Sequence, residues 1–161
     1  MALITLPTIL VGPSVGLPGD VHSEQRNPLG TEREGPNGEV YVYLPGVASV
    51  VYGSWVTFDE DFVTTRTVAN AQGRVAIATG AVDATTEYGW FQIAGKAEGL
   101  CLADFADNGK VYLTSTAGQI DDADVGGDFV VGAIGRSARD TTTGTAIFQL
   151  DRPIVQDTAF D

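Results

Sequence analysis

Short runs of β-branched and aromatic residues recur along this chain at roughly ten- to fifteen-residue spacing, each cut off by glycine, proline or Asn-Gly. This rhythm limits the possible folds. A run that short is a strand, and a strand buries its apolar face only against other strands or a helix. No stretch keeps the 3.6-residue apolar period of an amphipathic helix. The clearest run is Tyr88-Gly89-Trp90-Phe91-Gln92-Ile93-Ala94, with three aromatics and an isoleucine. Before it stand 39–44 (closed by Pro45-Gly46), 47–52 and 54–58 on either side of Gly53, a weaker candidate at 62–68, and 73–79 after an Asn70-Ala71-Gln72-Gly73 turn. Gly53 inside this pattern predicts a bulge or a close approach of backbones. After it, 96–104 reads as a second strand of small residues, and Asn108-Gly109 is a strong turn signal. Runs at 111–116, 129–135 and 145–150 follow, the last expected to end at Arg152-Pro153. Residues 82–86 or 102–106 suit one short helical turn at most. The prediction is an all-β barrel or sandwich.

Residues 1–38 differ in kind. Five of the seven prolines lie there: Pro7, Pro13, Pro18, Pro28 and Pro36. Each removes a backbone donor and biases the preceding residue to extended geometry. The segment is too apolar for a free tail, with Leu3, Ile4, Leu6, Ile9, Leu10, Val11, Val15 and Leu17. It is expected to be an extended arm lying on a surface, either that of its own domain or that of a partner subunit. The organisation is then an arm over 1–38 and a β domain over 39–161.

A net charge of −12 repels phosphate backbones and anionic lipid, so neither nucleic acid nor membrane is an expected partner. The same charge favours solubility at high local concentration. The apolar N-terminus lacks a basic leading region, is interrupted by Pro7 and Pro13, and does not read as a signal peptide. Cys101 is the lone cysteine, which excludes an intrachain disulfide and a cysteine metal cage. Within Gly99-Leu100-Cys101-Leu102-Ala103 it reads as a small buried hydrophobe.

Candidate chemistry is sparse. His22 is the single histidine and has Ser23 and Glu24 beside it, but a proline-rich arm is a poor frame for a triad. Asp59-Glu60-Asp61 and the Asp121–Asp128 stretch offer clustered oxygens of the kind calcium takes. The second lacks the Asp-x-Asp-x-Asp-Gly order and the glutamate at position twelve, and turn geometry accounts for it. Gly95-Lys96 is not a phosphate loop, and Gly132-Ala133-Ile134-Gly135 is not a dinucleotide fingerprint. Trp55, Tyr88, Trp90 and Phe91 suit either a core or a sugar-binding platform, which the exposure of Trp90 decides. No catalytic residue, cofactor or metal site is assigned, and the chain is not expected to be an enzyme.

One resemblance stands out. The succession Tyr88-Gly89-Trp90-Phe91-Gln92-Ile93-Ala94-Gly95, then Val111-Tyr112-Leu113-Thr114 with Gly118 and Asp121-Asp122, then Val131-Gly132-Ala133-Ile134-Gly135, then Phe148-Gln149-Leu150 and Pro153, resembles small structural proteins of tailed bacteriophages. These include capsid decoration (head-stabilising or cement) proteins. Pro28-Leu29-Gly30-Thr31 and the 38–44 run are similar to phage head-protein sequence as well, so the likeness spans roughly residues 28–153. It implies a barrel-like or β-tulip domain on the outside of a capsid, made in the host cytoplasm. It also implies a homotrimer that bridges subunits of the major capsid protein. The group has no catalytic motif to carry over. A head-fibre, tail, or host- or carbohydrate-binding β module of a phage particle is the alternative. Under either reading the expected contact element is the apolar arm: Leu3, Ile4, Leu6, Ile9 and Leu10.

Overall fold

The computed structural model describes residues 15–156. Among these, every regular element is a strand: β1 (Val21–His22), β2 (Glu32–Glu34), β3 (Val40–Pro45), β4 (Trp55–Phe58), β5 (Thr64–Arg66), β6 (Gly73–Ala78), β7 (Tyr88–Leu100), β8 (Lys110–Leu113), β9 (Ile120–Asp121), β10 (Phe129–Gly135) and β11 (Thr145–Val155). The strands pair antiparallel in one sheet, with the path β2-β3-β7-β6-β11-β10-β8-β9. β4 lies beside β6 and carries β5 on its other edge, and β1 pairs with the start of β7. The protein is all-β, as its sequence pattern predicts.

β7 organises the molecule. Its first half pairs with β3 on one edge (Tyr43 opposite Trp90) and with β6 through Gln92 and Phe91. Its second half pairs with β11, from Ala94 opposite Asp151 to Leu100 opposite Thr145. Most of the expected second strand at 96–104 is therefore the continuation of the first. Gly95 bends the strand without ending it, at φ 85°. Only glycine fits there, because a Cβ would stand 2.8 Å from the Glu39 Cα.

The burial pattern explains why β4 and β6 read as near-continuous apolar runs. Alternate residues of one strand point to opposite faces. Trp55, Val75 and Ile77 enter one core with Phe105, Leu113 and Phe148. Val56, Phe58, Ala76 and Ala78 enter a second with Val42, Leu44, Val50 and Phe91. The β4–β6 ribbon is thus a wall with a core on each side. Trp55 is held there by packing: it meets Phe148 edge-on at 4.9 Å, and a Cβ at Gly99 would lie 2.6 Å from its Nε1.

Several boundaries differ from expectation for local reasons. Residues 47–52 form turns rather than a strand. Ser49 takes a positive φ (69°); Val50 is buried in the second core with Val47 packed partly buried against it, while Val51 and Tyr52 stay half exposed. The weak candidate at 62–68 shrinks to β5, since Phe62 itself sits at φ 63°. Residues 82–86 and 102–106 are turns and bends without helix. β11 does not stop at Arg152-Pro153 but passes through them to pair Val155 with Val130 and with Gly73. It does so by a corner. Arg152 at φ 45° and Gly132 at φ 86° face each other where the β10–β11 register shifts. Pro153 has no donor to lose at such an irregularity.

The segment assigned to the arm divides. From residue 15 onward it lies on the domain, through β1 on β7 and β2 on β3. Residues 1–14 lie outside the described residues, and with them Leu3, Ile4, Leu6, Ile9 and Leu10.

Candidate interaction surfaces

Trp55, Trp90 and Phe91 are buried, with Trp90 only 1% exposed. They are core, and of the proposed sugar platform only Tyr88 remains half buried, stacked on Tyr43 at 6.3 Å. What covers Trp90 and Tyr43 is the N-terminal segment. These two rings stand on the outer face of β3 and β7, edge to face at 5.1 Å. The Trp90 Nε1–H donates to the Val15 carbonyl (3.3 Å), and the Arg26 N–H donates to the Tyr43 hydroxyl (3.3 Å). Asn27 braces the loop by accepting from the Val15 N–H (2.8 Å) and donating to the Val15 carbonyl (3.0 Å). The Arg33 guanidinium donates to the Gly16 carbonyl. Residues 15–34 are therefore a strap closed over an aromatic face of their own domain.

His22 belongs to this strap. It is buried, with Nδ1 2.8 Å from the Tyr43 hydroxyl, and a Cβ at Gly16 would touch its ring at 2.6 Å. Among the described residues, no Ser or Cys nucleophile is one of its hydrogen-bond partners. Burial, then the nearby Arg26 charge, lowers its pKa, and Asp20 opposes them weakly. The strap therefore favours neutral His22. A histidine with a depressed pKa contributes stability that is present above its unfolded value, near 6.5, and lost as pH falls through the lower folded value. Acidification from about pH 7 to about pH 5 should destabilise the native protein more than a His22→Asn variant. Thermal melts of both across that range check this: a constant gap between the two curves contradicts it.

The acidic clusters are engaged in turn geometry. The Asp59 carboxylate accepts from the Asp61 and Val63 N–H groups (3.0 and 2.8 Å). Asp128 is buried and accepts from the Asn70 N–H at 2.6 Å, tying the 121–128 loop to the turn before β6. Asp122 accepts from the Ala106 N–H at 2.9 Å. Among the described residues no three of His, Cys, Asp and Glu gather as a metal-binding group. Cys101 is buried, and burial pushes its thiol up to about 11, so the thiolate that reacts is scarce at neutral pH.

One surface was not legible in the sequence. Directly opposed residues on neighbouring antiparallel strands share a face. Lys96 on β7 opposes Gln149 on β11, Gln149 opposes Ile134 on β10, and Ile134 opposes Lys110 on β8. The two lysines of the whole chain thus stand in one row across four strands. The flanking residues Ala97, Phe148 and Ala133 point the other way, into the first core. Arg136 joins the row: its Nε donates to Gln149 Oε1 (3.3 Å) and its Nη1 to Asn108 Oδ1 (3.0 Å). A shallow groove of about 530 Å³ runs here, lined by Asn37, Gly95, Lys96, Arg136, Ile147 and Gln149 among others. The sole ion pair among the described residues, Arg152–Glu32 at 2.7 Å, lies elsewhere. No local motif announces the row, because strand register creates it.

No family model matches the chain, and neither a curated protein nor a solved structure matches it.

Proposed function

We propose that this chain is a structural protein of a tailed-phage particle. In this reading it is a decoration protein that sits on the capsid exterior as a homotrimer and bridges subunits of the major capsid protein. The sequence likeness described above motivates the reading, and one structural observation carries it further. The strap over Tyr43 and Trp90 fixes residues 15–34 to the domain. The apolar residues Leu3, Ile4, Leu6, Ile9 and Leu10 are thus joined in sequence to a segment fixed on the domain. An apolar segment held at one end suits insertion along a neighbour's groove or sheet edge. Many such modest contacts, repeated over a symmetric lattice, raise the rupture threshold of a shell through avidity. The burial of Trp55, Trp90 and Phe91 removes the platform on which a carbohydrate-binding role would rest.

The strap also says where a truncation must stop. Deletion of residues 2–14 removes none of the strap contacts among the described residues, whereas deletion past 15 removes the Val15 carbonyl that accepts from Trp90. The 2–14 deletion is expected to keep the thermal midpoint of the full chain and to lose occupancy on undecorated heads, measured by gel densitometry of sedimented particles. Full occupancy by the truncated protein would remove the arm from the mechanism. Failure of the full-length protein to sediment with heads sinks the decoration reading itself.

A further inference from the structure

We infer that the Lys96–Gln149–Ile134–Lys110 row, with Arg136, is a docking surface for an extended, carboxylate-rich segment of another protein. The first argument is charge. The chain carries −12 overall, yet both lysines and one of its seven arginines stand together on one sheet face. Neither lysine nor Arg136 has a carboxylate oxygen within ion-pair distance among the described residues. Asp121 on β9, opposite Tyr112 and so one row from Lys110, accepts from the Asp122 N–H (2.9 Å), and Glu39, beside Gly95, accepts from the Asn37 N–H (2.8 Å). Glu98, one row away opposite Ile147, has its oxygens taken by the Tyr52 hydroxyl (3.0 Å) and the Thr145 hydroxyl (2.5 Å). Asp151 flanks the row on its other side, opposite Ala94, and bounds the groove there.

The second argument is spacing. Lys96 and Lys110 are separated by three strand-to-strand steps, which is about 14 Å. Residues i and i+4 of an extended peptide lie about 13 Å apart. A strand laid across the row thus brings one acidic side chain to each lysine, with a polar residue between them over Arg136 and Gln149. Ile134 and Ile147 are only partly buried on this face and offer apolar contact beside the lysines to the same inward-facing side chains.

The surrounding acidic surface selects the occupant. A nucleic acid extends its phosphates beyond a 14 Å row onto the surrounding acidic surface, where they are repelled. A second copy of this chain brings a further −12 and the same repulsion. A short acidic segment of a different protein matches the row without meeting the rest of the surface. This inference uses neither the arm nor the particle, and it stands or falls apart from the decoration reading.

Fluorescence anisotropy tests it, with a labelled eight-residue peptide bearing Glu at every second position, the full-length protein, and low salt. Binding is expected to weaken as salt rises toward a Debye length of about 8 Å. Lys96→Glu and Lys110→Glu should each weaken it about fivefold, the loss of one exposed charge pair. Arg26→Glu makes the same charge change on the strap near Tyr43 and should leave affinity nearly unchanged. Equal weakening by Arg26→Glu would mean that only the net field is felt, and would overturn the site. So would tighter binding of an eight-nucleotide oligothymidylate, which points to phosphate. Low-salt self-association detected by light scattering and abolished by Lys96→Glu would assign the row to a second copy instead. Melting curves of the variants confirm that each is folded before its affinity is read.

Discussion

Phe148→Ala is expected to lower the unfolding free energy by about 3–5 kcal/mol, the range for a large aromatic removed from a closed core. The side chain is fully buried and touches both other large rings of its core: Trp55 at 4.9 Å and Phe105 at 5.3 Å. Those rings come from β4 and from the turn after β7, so two separate parts of the chain lose a partner at once. Partial collapse is hindered because Trp55 is pinned by the Gly99 backbone behind it. The midpoint of thermal unfolding should fall on the order of 10 °C for a chain of this size. Phe148→Leu retains most of the volume and should cost less than about 1.5 kcal/mol. A melt in which the two variants behave alike would mean that the core repacks freely and that the aromatic trio has no special weight.

The second large effect is expected at the corner between β10 and β11. Gly132 sits at φ 86°, and a Cβ there would lie 2.6 Å from the Asp151 carbonyl oxygen and 3.2 Å from the Pro153 Cα. The clash is with backbone, which no rotamer change relieves. A side chain at such a φ alone costs on the order of 1–3 kcal/mol, and the contact adds to it. Gly132→Ala should therefore destabilise strongly, although it removes nothing and adds one methyl group. The neighbouring Gly126, with nothing within 4 Å of a Cβ, serves as the control and should accept alanine with little change. Chemical denaturation of the two variants in parallel separates corner strain from a general cost of adding alanine to a loop.

The strands were legible where local composition and tertiary need agree. The Tyr88 run, buried continuously from Gly89 to Ile93, and the 129–135 run, buried at only some positions, are aromatic or β-branched and bounded by glycines or aspartate, and both are strands as expected. The pattern misled where one anchor residue carries a loop. Residues 47–52 are as β-branched as a strand, but only Val50 is fully buried, with Val47 packed beside it, and the positive φ at Ser49 ends any ladder. It also misled where a punctuating residue bends a strand instead of ending it. Gly95 in β7 and Arg152-Pro153 in β11 look like stops from composition, and only the partner strand shows that pairing resumes beyond them. The aromatic face was visible as a set of residues but not as a covered one. Its cover is a proline-rich segment whose hydrogen bonds to Trp90 and Tyr43 span as many as 75 positions of sequence. The cationic row had no local trace at all. Lys96 and Lys110 are neighbours only through two intervening strands and their registers.

β4 and β6 serve two cores with one pair of strands. Each core borrows the same backbone, so neither half of the domain owns a complete inside. Damage on one side reaches the other through alternate residues of a single strand, Val75 and Ile77 against Ala76 and Ala78. The two cores are therefore expected to unfold in a single cooperative transition rather than one after the other.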